Sequence, residues 1–272
     1  QKSKGVRTYL LLKDIFPQNA VDLGMMKEGG LLHRMFRKKE ERLYELSDRI
    51  GCMSPANCEY VIKHNPSVDP KKVEVAPNSV EVTTEAPSGR NKNEDIPLFI
   101  YGGNLGKPQG IDFLIRVLNA CKDREDLRIC VVGSGTESGK LHRWQDEAKP
   151  KAVSIMDALP KAEYDELVAR ADVGMIFLDR RFTIPNFPSR LLSYMECSMP
   201  VLLATDVNTD MGRIAEANGF GLWSESGDLE RTLENINRLA ADAALRKQMG
   251  ANGYRYMMDN YTIDKTADAI LR

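Results

Sequence analysis

From Pro97 onward, short apolar runs alternate along the chain with longer segments whose apolar residues recur at helical spacing. That alternation predicts a parallel sheet with helices on both faces, because strands buried on both sides read as continuous apolar runs. Strands are expected at 98–101, 127–132, 153–155, 173–178, 200–203 and 220–223. Helices are expected near 111–121, 140–146, 162–169, 191–196, 211–217 and 228–241. Six strands with interleaved helices make one doubly wound α/β domain.

Ahead of this series, residues 81–95 (EVTTEAPSGRNKNED) are polar and carry Pro87 and Gly89, the composition of an exposed linker. A domain boundary is therefore expected here, with one unit over 1–90 and a second over 91–272. The first unit holds a strand at 7–13, a helix at 31–47, a strand at 49–53, a helix at 55–63 and a strand at 73–75. Three strands and two helices are too few for a complete doubly wound domain and suit the second half of one. The chain opens on Gln1, and its first strand begins at once, so it reads as a piece of a longer protein.

Composition adds exclusions. At 42% apolar and 28% charged, the 272 residues fall outside the collagen-like, low-complexity and disordered classes. A formal net charge of -1 gives no global attraction to nucleic acid or to an anionic membrane. Cys52, Cys58, Cys121, Cys130 and Cys197 are scattered and read as free thiols of a reducing compartment. His33, His64 and His142 lack zinc-site spacing, so no metal is expected. No apolar run approaches the roughly 20 residues of a membrane-spanning helix, and a cytoplasmic protein is the expectation. One local exception is the segment 31–47. There His33, Arg34, Arg37, Lys38, Lys39 and Arg42 lie beside Leu31, Leu32, Met35 and Phe36. This is either a solvated helix face or a basic amphipathic patch that meets the inner membrane surface.

Ligands of open parallel sheets bind beyond the carboxyl ends of the strands, which directs attention to three loops. Gly102-Gly103-Asn104-Leu105-Gly106-Lys107-Pro108-Gln109-Gly110 precedes a helix. It reads either as a phosphate cradle, with glycine amides and Lys107 facing an anion, or as a tight turn. Its order is not that of a Walker loop. Gly133-Ser134-Gly135-Thr136-Glu137-Ser138, with Asp157 further on, partly mimics a dinucleotide fingerprint in which Ser138 replaces the third glycine. Thr183-Ile184-Pro185-Asn186-Phe187-Pro188-Ser189-Arg190 feeds a helix. There Ser189 is an N-cap, with or without a diphosphate at the helix start, and Asn186 and Asp179 could bond hydroxyls.

Taken in order, five segments resemble the nucleotide-binding half of a GT-B glycosyltransferase of the retaining family 4, of the kind found in capsule and O-antigen synthesis. They are IYGGNLGKPQGIDFLIRVLNA, LRICVVGSGTESGKL, VSIMDALPKAEYDELVARADVGMIFL, FPSRLLSYMECSMPVLLATD and GDLERTLENINRLAADAALRKQMGANGYRYMMDNYTIDKTADAIL. RTYLLLKDIFPQNAVDLGMM and LLHRMFRKKEERLYELSDRIGCMSPAN resemble the later part of the family's N-terminal domain, whose first part this chain would lack.

The resemblance implies two Rossmann-like domains and transfer of a sugar, with retention and without a required metal or cofactor, from a UDP- or GDP-sugar to a glycan or lipid-linked acceptor. It places Gly102, Gly103, Asn104, Leu105 and Gly106 at the donor diphosphate. Asp157, Ala158 and Leu159 would lie at the base, and Pro188, Ser189 and Ser193 at the helix facing the donor. The family carries Arg where this chain has Asn104 and Lys where it has Gln109. It also carries glutamates at the positions of Pro185 and Ser193. Lys107 and Arg190 are the expected replacement cations, with the amides of Gly103 to Gly106 beside them. A last helix over about 262–271 is expected to pack back on the N-terminal part. Asp14 and Phe16 either edge the cleft or merely end a strand. The alternatives are a sugar-nucleotide binding module without activity and a nicotinamide oxidoreductase built on Gly133 and Gly135.

Overall fold

The computed structural model describes residues 5–81 and 96–271. Of the expected linker only Glu81 falls within that range, and the boundary at 90/91 lies outside the described residues. The first unit runs β1 (Tyr9–Leu12), α1 (Gln18–Asp22), α2 (Leu31–Leu46), β2 (Arg49–Cys52), α3 (Pro55–His64) and β3 (Val73–Val75). Its three strands form a parallel sheet in the order β1-β2-β3. Helix α3 starts where Ser54 accepts the Asn57 N–H at 3.4 Å and Pro55 occupies the first helical position, where a missing N–H costs nothing.

The second unit runs β4 (Leu98–Asn104), α4 (Ile111–Cys121), β5 (Arg128–Ser134), α5 (Ser138–Ala148), β6 (Val153–Met156), α6 (Lys161–Arg170) and β7 (Val173–Phe177). It continues through α7 (Arg190–Glu196), β8 (Val201–Thr205), α8 (Met211–Ala217), β9 (Gly221–Glu225), α9 (Leu229–Ala241), α10 (Ala243–Asn260) and α11 (Ile263–Leu271). The strand order β6-β5-β4-β7-β8-β9 is the doubly wound order, with its switch point between β4 and β7.

Strand side chains alternate between the two covered faces. Phe99, Tyr101, Val131, Met175, Phe177 and Leu202 enter one core with α4 and α9, while Ile100, Cys130, Val132, Ile176, Val201 and Leu203 enter the other with α7, α8 and α10. Each fully buried Leu, Ile or Phe contributes about 1.5–3 kcal/mol.

Two departures from the expected elements bear on the site. Strands β4 and β5 run on in register through Gly103↔Gly133 and Asn104↔Ser134, so Gly102, Gly103 and Asn104 are strand residues rather than loop. A Cβ at Gly133 would meet the Gly103 carbonyl oxygen at 1.8 Å, so the missing side chain is what lets the strand ends close up. The short helix α1 is also new, because five residues give too little periodicity to read.

The units meet through specific contacts. The Asp22 carboxylate accepts the Thr183 N–H at 2.7 Å and its hydroxyl at 2.9 Å, and Asn57 Nδ2 donates to the Pro185 carbonyl at 2.8 Å. The Ala56 N–H at the start of α3 donates to Asp210 Oδ2 at 2.9 Å. Ile15 and Leu23 pack with Phe182 and Ile184 between the units. Helix α11 follows a crossing in which Ile263 N–H donates to the Val80 carbonyl at 3.1 Å, and Thr266 Oγ1 donates to the Pro77 carbonyl at 3.4 Å.

Candidate functional site

A cleft of about 610 Å³ opens at the switch point, between the loops that follow β4 and β7. The donor-side wall holds Asn104, Gln109, Asn186, Ser189, Arg190 and Ser193, and the first unit adds Lys13, Asp14 and Asn78. A second cavity of about 400 Å³ continues from it through Gly103, Asn104 and Tyr164 to Gly133, Ser134, Ala158 and Leu159.

Arg190 is placed by α7. Gly174 on β7 has no side chain, and a Cβ there would meet the Tyr194 ring at 2.3 Å, so Tyr194 can lie directly on the strand. Its hydroxyl accepts the Gly102 N–H at 3.2 Å, which fixes the helix over the strand end. One turn earlier, the Arg190 guanidinium stacks on the Tyr101 ring with 4.7 Å to its centroid. Its Nη1 is buried and has no hydrogen-bond partner among the described residues. Burial works against the charge, but a guanidinium stays protonated at any working pH, so Arg190 is a cation here. An unpaired guanidinium N–H at a cleft wall is a costly arrangement that an anionic ligand would relieve.

Several sequence-predicted residues lie elsewhere. Lys107 does not share the cleft with Arg190; it is exposed and lines another cavity, because the turn that carries it puts Pro108 and Gln109 on the cleft side. The Leu105 side chain is in the core, its N–H donates to the Ser134 carbonyl at 2.8 Å, and its carbonyl accepts from Glu137. The Gly106 N–H donates to Gln109 Oε1 at 3.2 Å. The amides of Leu105 and Gly106 are thus committed within the protein and are not donors to a diphosphate. Gln109, standing where the resemblance expects Lys, is the residue that holds the turn closed.

Gly102 is packed under Tyr164, whose hydroxyl would meet a Cβ at 2.1 Å. Ala158 and Leu159 line the smaller cavity, whereas exposed Asp157 faces His142 Nε2 at 3.2 Å. Pro188, Ser189 and Ser193 line the cleft, and Ser189 makes no side-chain cap, which leaves its hydroxyl exposed there. Asp179 is gripped by Arg181 through contacts of 2.9 and 2.8 Å and does not line the cleft.

The dinucleotide-like glycines have a packing explanation: a Cβ at Gly135 would meet the Leu105 carbonyl carbon at 2.4 Å. Ser138 Oγ donates to the Gly135 carbonyl at 2.9 Å. Phe16 is structural, edge-on to Phe36 at 4.9 Å, while Asp14 lines the cleft. Sequence reasoning missed Lys13, Asn78 and Tyr164. Lys13 is the second cation of the cleft lining and Asp14 its one carboxylate among the described residues; partial burial lowers the Lys13 pKa. Their only signal was position after β1, a strand end facing the switch point of the other sheet. No group of acidic, His or Cys side chains suited to a metal ion occurs among the described residues.

A doubly wound domain with a cleft at its switch point, facing a second parallel sheet across that cleft, is the arrangement of GT-B proteins. Residues 82–256 match Glycosyl transferases group 1, and the chain belongs to that family. It is 25% identical over 81% of its length to a probable glycosyltransferase, WbjE, of Pseudomonas aeruginosa, and covers 56% of that protein. It is 22% identical over 87% of its length to WcaI of Escherichia coli K12, named a putative colanic acid biosynthesis glycosyl transferase, of which it covers 61%. The chain thus spans little more than half the length of these curated relatives. Among solved structures, that of a Staphylococcus aureus TarM mutant in complex with Fondaparinux, alpha-GlcNAc-glycerol and UDP superposes with a TM-score of 0.75 at 14% identity. That likeness covers 100% of this chain and 51% of TarM.

Proposed function

We propose that this chain is the donor-binding part of a retaining family 4 glycosyltransferase. It would move a sugar from a UDP- or GDP-sugar to a glycan or lipid-linked acceptor in cell-surface polysaccharide synthesis. The observation that carries the reading is Arg190 on the wall of the switch-point cleft, a guanidinium whose Nη1 is buried behind that wall without a hydrogen-bond partner among the described residues. As the sugar–phosphate bond breaks, negative charge builds on the leaving diphosphate, and a fixed cation at that point stabilises the transition state. Arg190 fills this role, and Lys13 adds a second positive charge from the facing unit. The base lies against Ala158 and Leu159, with Tyr164 between base and diphosphate. The TarM mutant forms a complex that includes UDP, and WbjE and WcaI are both named as glycosyltransferases, which supports this substrate class.

A second reading is a sugar-nucleotide binding module without activity. It draws on Pro185 and Ser193, which stand where the resemblance expects glutamates, and on Gln109, whose carbonyl oxygen is turned inward to Gly106. The full-length protein, incubated with a panel of UDP- and GDP-sugars and lipid-linked acceptors, separates the two. Release of UDP or GDP that depends on acceptor supports the transferase. Nucleotide binding without turnover on any pair supports the module.

We also infer peripheral membrane contact through α2. Leu31, Leu32 and Met35 are exposed at 86%, 60% and 42%, and Tyr44 is the helix's one buried residue. Lys38 and Lys39 are exposed beside them, whereas Arg37 is held by Glu40 and by Asn65 Oδ1 at 2.6 Å and serves the fold. Exposed apolar residues next to exposed cations suit an anionic lipid surface.

A further inference from the structure

The turn after β4 has two sides. Pro108 and Gln109 face the cleft, while Lys107 faces a separate cavity of about 420 Å³ on the α4 side of the sheet. Five cations line that cavity: Lys107, Arg116, Lys140, Arg180 and Arg181. Three carboxylates also line it, and two of the cations pair with them. Lys140 pairs with Asp112 at 2.9 Å and with Glu137, and Arg181 grips Asp179 at 2.8 Å. Lys107, Arg116 and Arg180 have no carboxylate within ion-pair distance among the described residues. Arg116 rests over the Phe113 ring at 5.6 Å.

We propose that this cavity is a second ligand site that binds a phosphorylated monosaccharide. Guanidinium groups without a paired carboxylate match a phosphate better than any neutral group does. Asp112, Glu137 and Asp179, each already anchored by a cation, present further lone pairs to sugar hydroxyls, and Ser226 adds a hydroxyl to the same wall. The volume lies at the small end of ligand pockets, suited to a hexose phosphate rather than to a nucleotide sugar.

The site is coupled to the cleft through two shared segments. Along the first, Lys107 faces the ligand and Gln109 the cleft; along the second, Asp179 faces the ligand and Leu178 the cleft. The Asp179 N–H donates to the Pro108 carbonyl at 2.9 Å and ties the two segments together. A ligand drawing on Lys107 and Arg180 therefore acts on both walls of the cleft, and by reciprocity nucleotide binding alters its affinity in turn.

Isothermal titration of this chain with glucose 6-phosphate, inorganic phosphate and UDP tests the assignment, with Arg116→Ala/Arg180→Ala as the variant and its thermal melt as the check on folding. The expected result is glucose 6-phosphate binding that is at least about tenfold weaker in the variant, tighter than that of inorganic phosphate, and not abolished by saturating UDP. Equal affinity in wild type and variant, displacement by UDP, or no binding at millimolar concentration would overturn the site. Inorganic phosphate binding as tightly as the sugar phosphate would overturn the monosaccharide. Loss of UDP binding in the wild type would count against the reading of the cleft alone.

Discussion

Arg190→Met keeps a long apolar stem and removes the guanidinium. In the free protein it forfeits the stack on Tyr101 at 4.7 Å, a cation–π contact of about 0.5–2 kcal/mol. It also relieves a buried N–H without a partner, which costs about 1–3 kcal/mol. The two changes oppose each other and are similar in size, so the variant should melt within about 3 °C of the wild type. With nucleotide bound, the same substitution loses a hydrogen bond to a charged group, about 1.5–3 kcal/mol. UDP or GDP affinity should therefore fall about tenfold to about a hundredfold at fixed salt. Calorimetric titration reads the affinity and a thermal melt reads the stability. A variant that binds both nucleotides as tightly as the wild type would refute the assignment. One that melts more than about 10 °C lower would mean that Arg190 holds the fold together instead.

Three further outcomes follow from the same geometry. Gly135→Ala places a Cβ 2.4 Å from the Leu105 carbonyl carbon and should cost about 3 kcal/mol, lowering the melting temperature by roughly 6–12 °C; an unchanged melt would show that the strand ends are not packed as described. Burial lifts the Asp206 carboxyl from its ordinary 3.8 to about 6, against the opposing hydrogen bonds from Thr209 and Asn208. A raised carboxylate pKa favours the folded state below the unfolded value, and that contribution, about 3 kcal/mol, is lost as pH rises from about 4 through about 6. Denaturant titrations should show this loss in the wild type and not in Asp206→Asn; parallel pH profiles would contradict it. Replacing Lys38 and Lys39 by Ala should weaken partitioning onto vesicles rich in anionic lipid by about thirtyfold, with no effect on nucleotide affinity. Unchanged sedimentation with vesicles would remove the membrane contact.

The doubly wound unit was legible because its strands are buried on both faces, so runs such as 173–178 and 200–203 stand out as apolar and the helices between them keep their period. The cleft lining was legible at Arg190, Pro188, Ser189 and Ser193, since a polar loop feeding a helix after β7 falls at the switch point. Within the glycine segment, Gly102, Gly103 and Asn104 do line the cleft, whereas the amides of Leu105 and Gly106 are committed within the protein, and the difference has a physical reason. Sequence shows that glycine is present, but not whether the missing Cβ makes room for a ligand or for another strand. At Gly102, Gly133 and Gly135 it makes room for Tyr164, Gly103 and Leu105. The side on which Lys107 emerges likewise depends on the turn from Gly106 to Gly110, which Gln109 closes by accepting the Gly106 N–H. Lys13 and Asp14 belong to a different sheet, and the packing of Ile15 and Leu23 on Phe182 and Ile184, with the hydrogen bonds that Asp22 and Asn57 make to the same loop, brings them to the cleft.

Donor binding in the switch-point cleft is the basis of the proposed transferase activity, and a crystal structure of this chain with UDP or GDP, whichever raises the melting temperature more, tests it most directly. The diphosphate should lie within hydrogen-bond distance of Arg190 Nη1, with the base against Ala158 and Leu159. A nucleotide seated instead in the cavity of Lys107 and Arg180, or bound with Arg190 Nη1 still unpartnered, would contradict it.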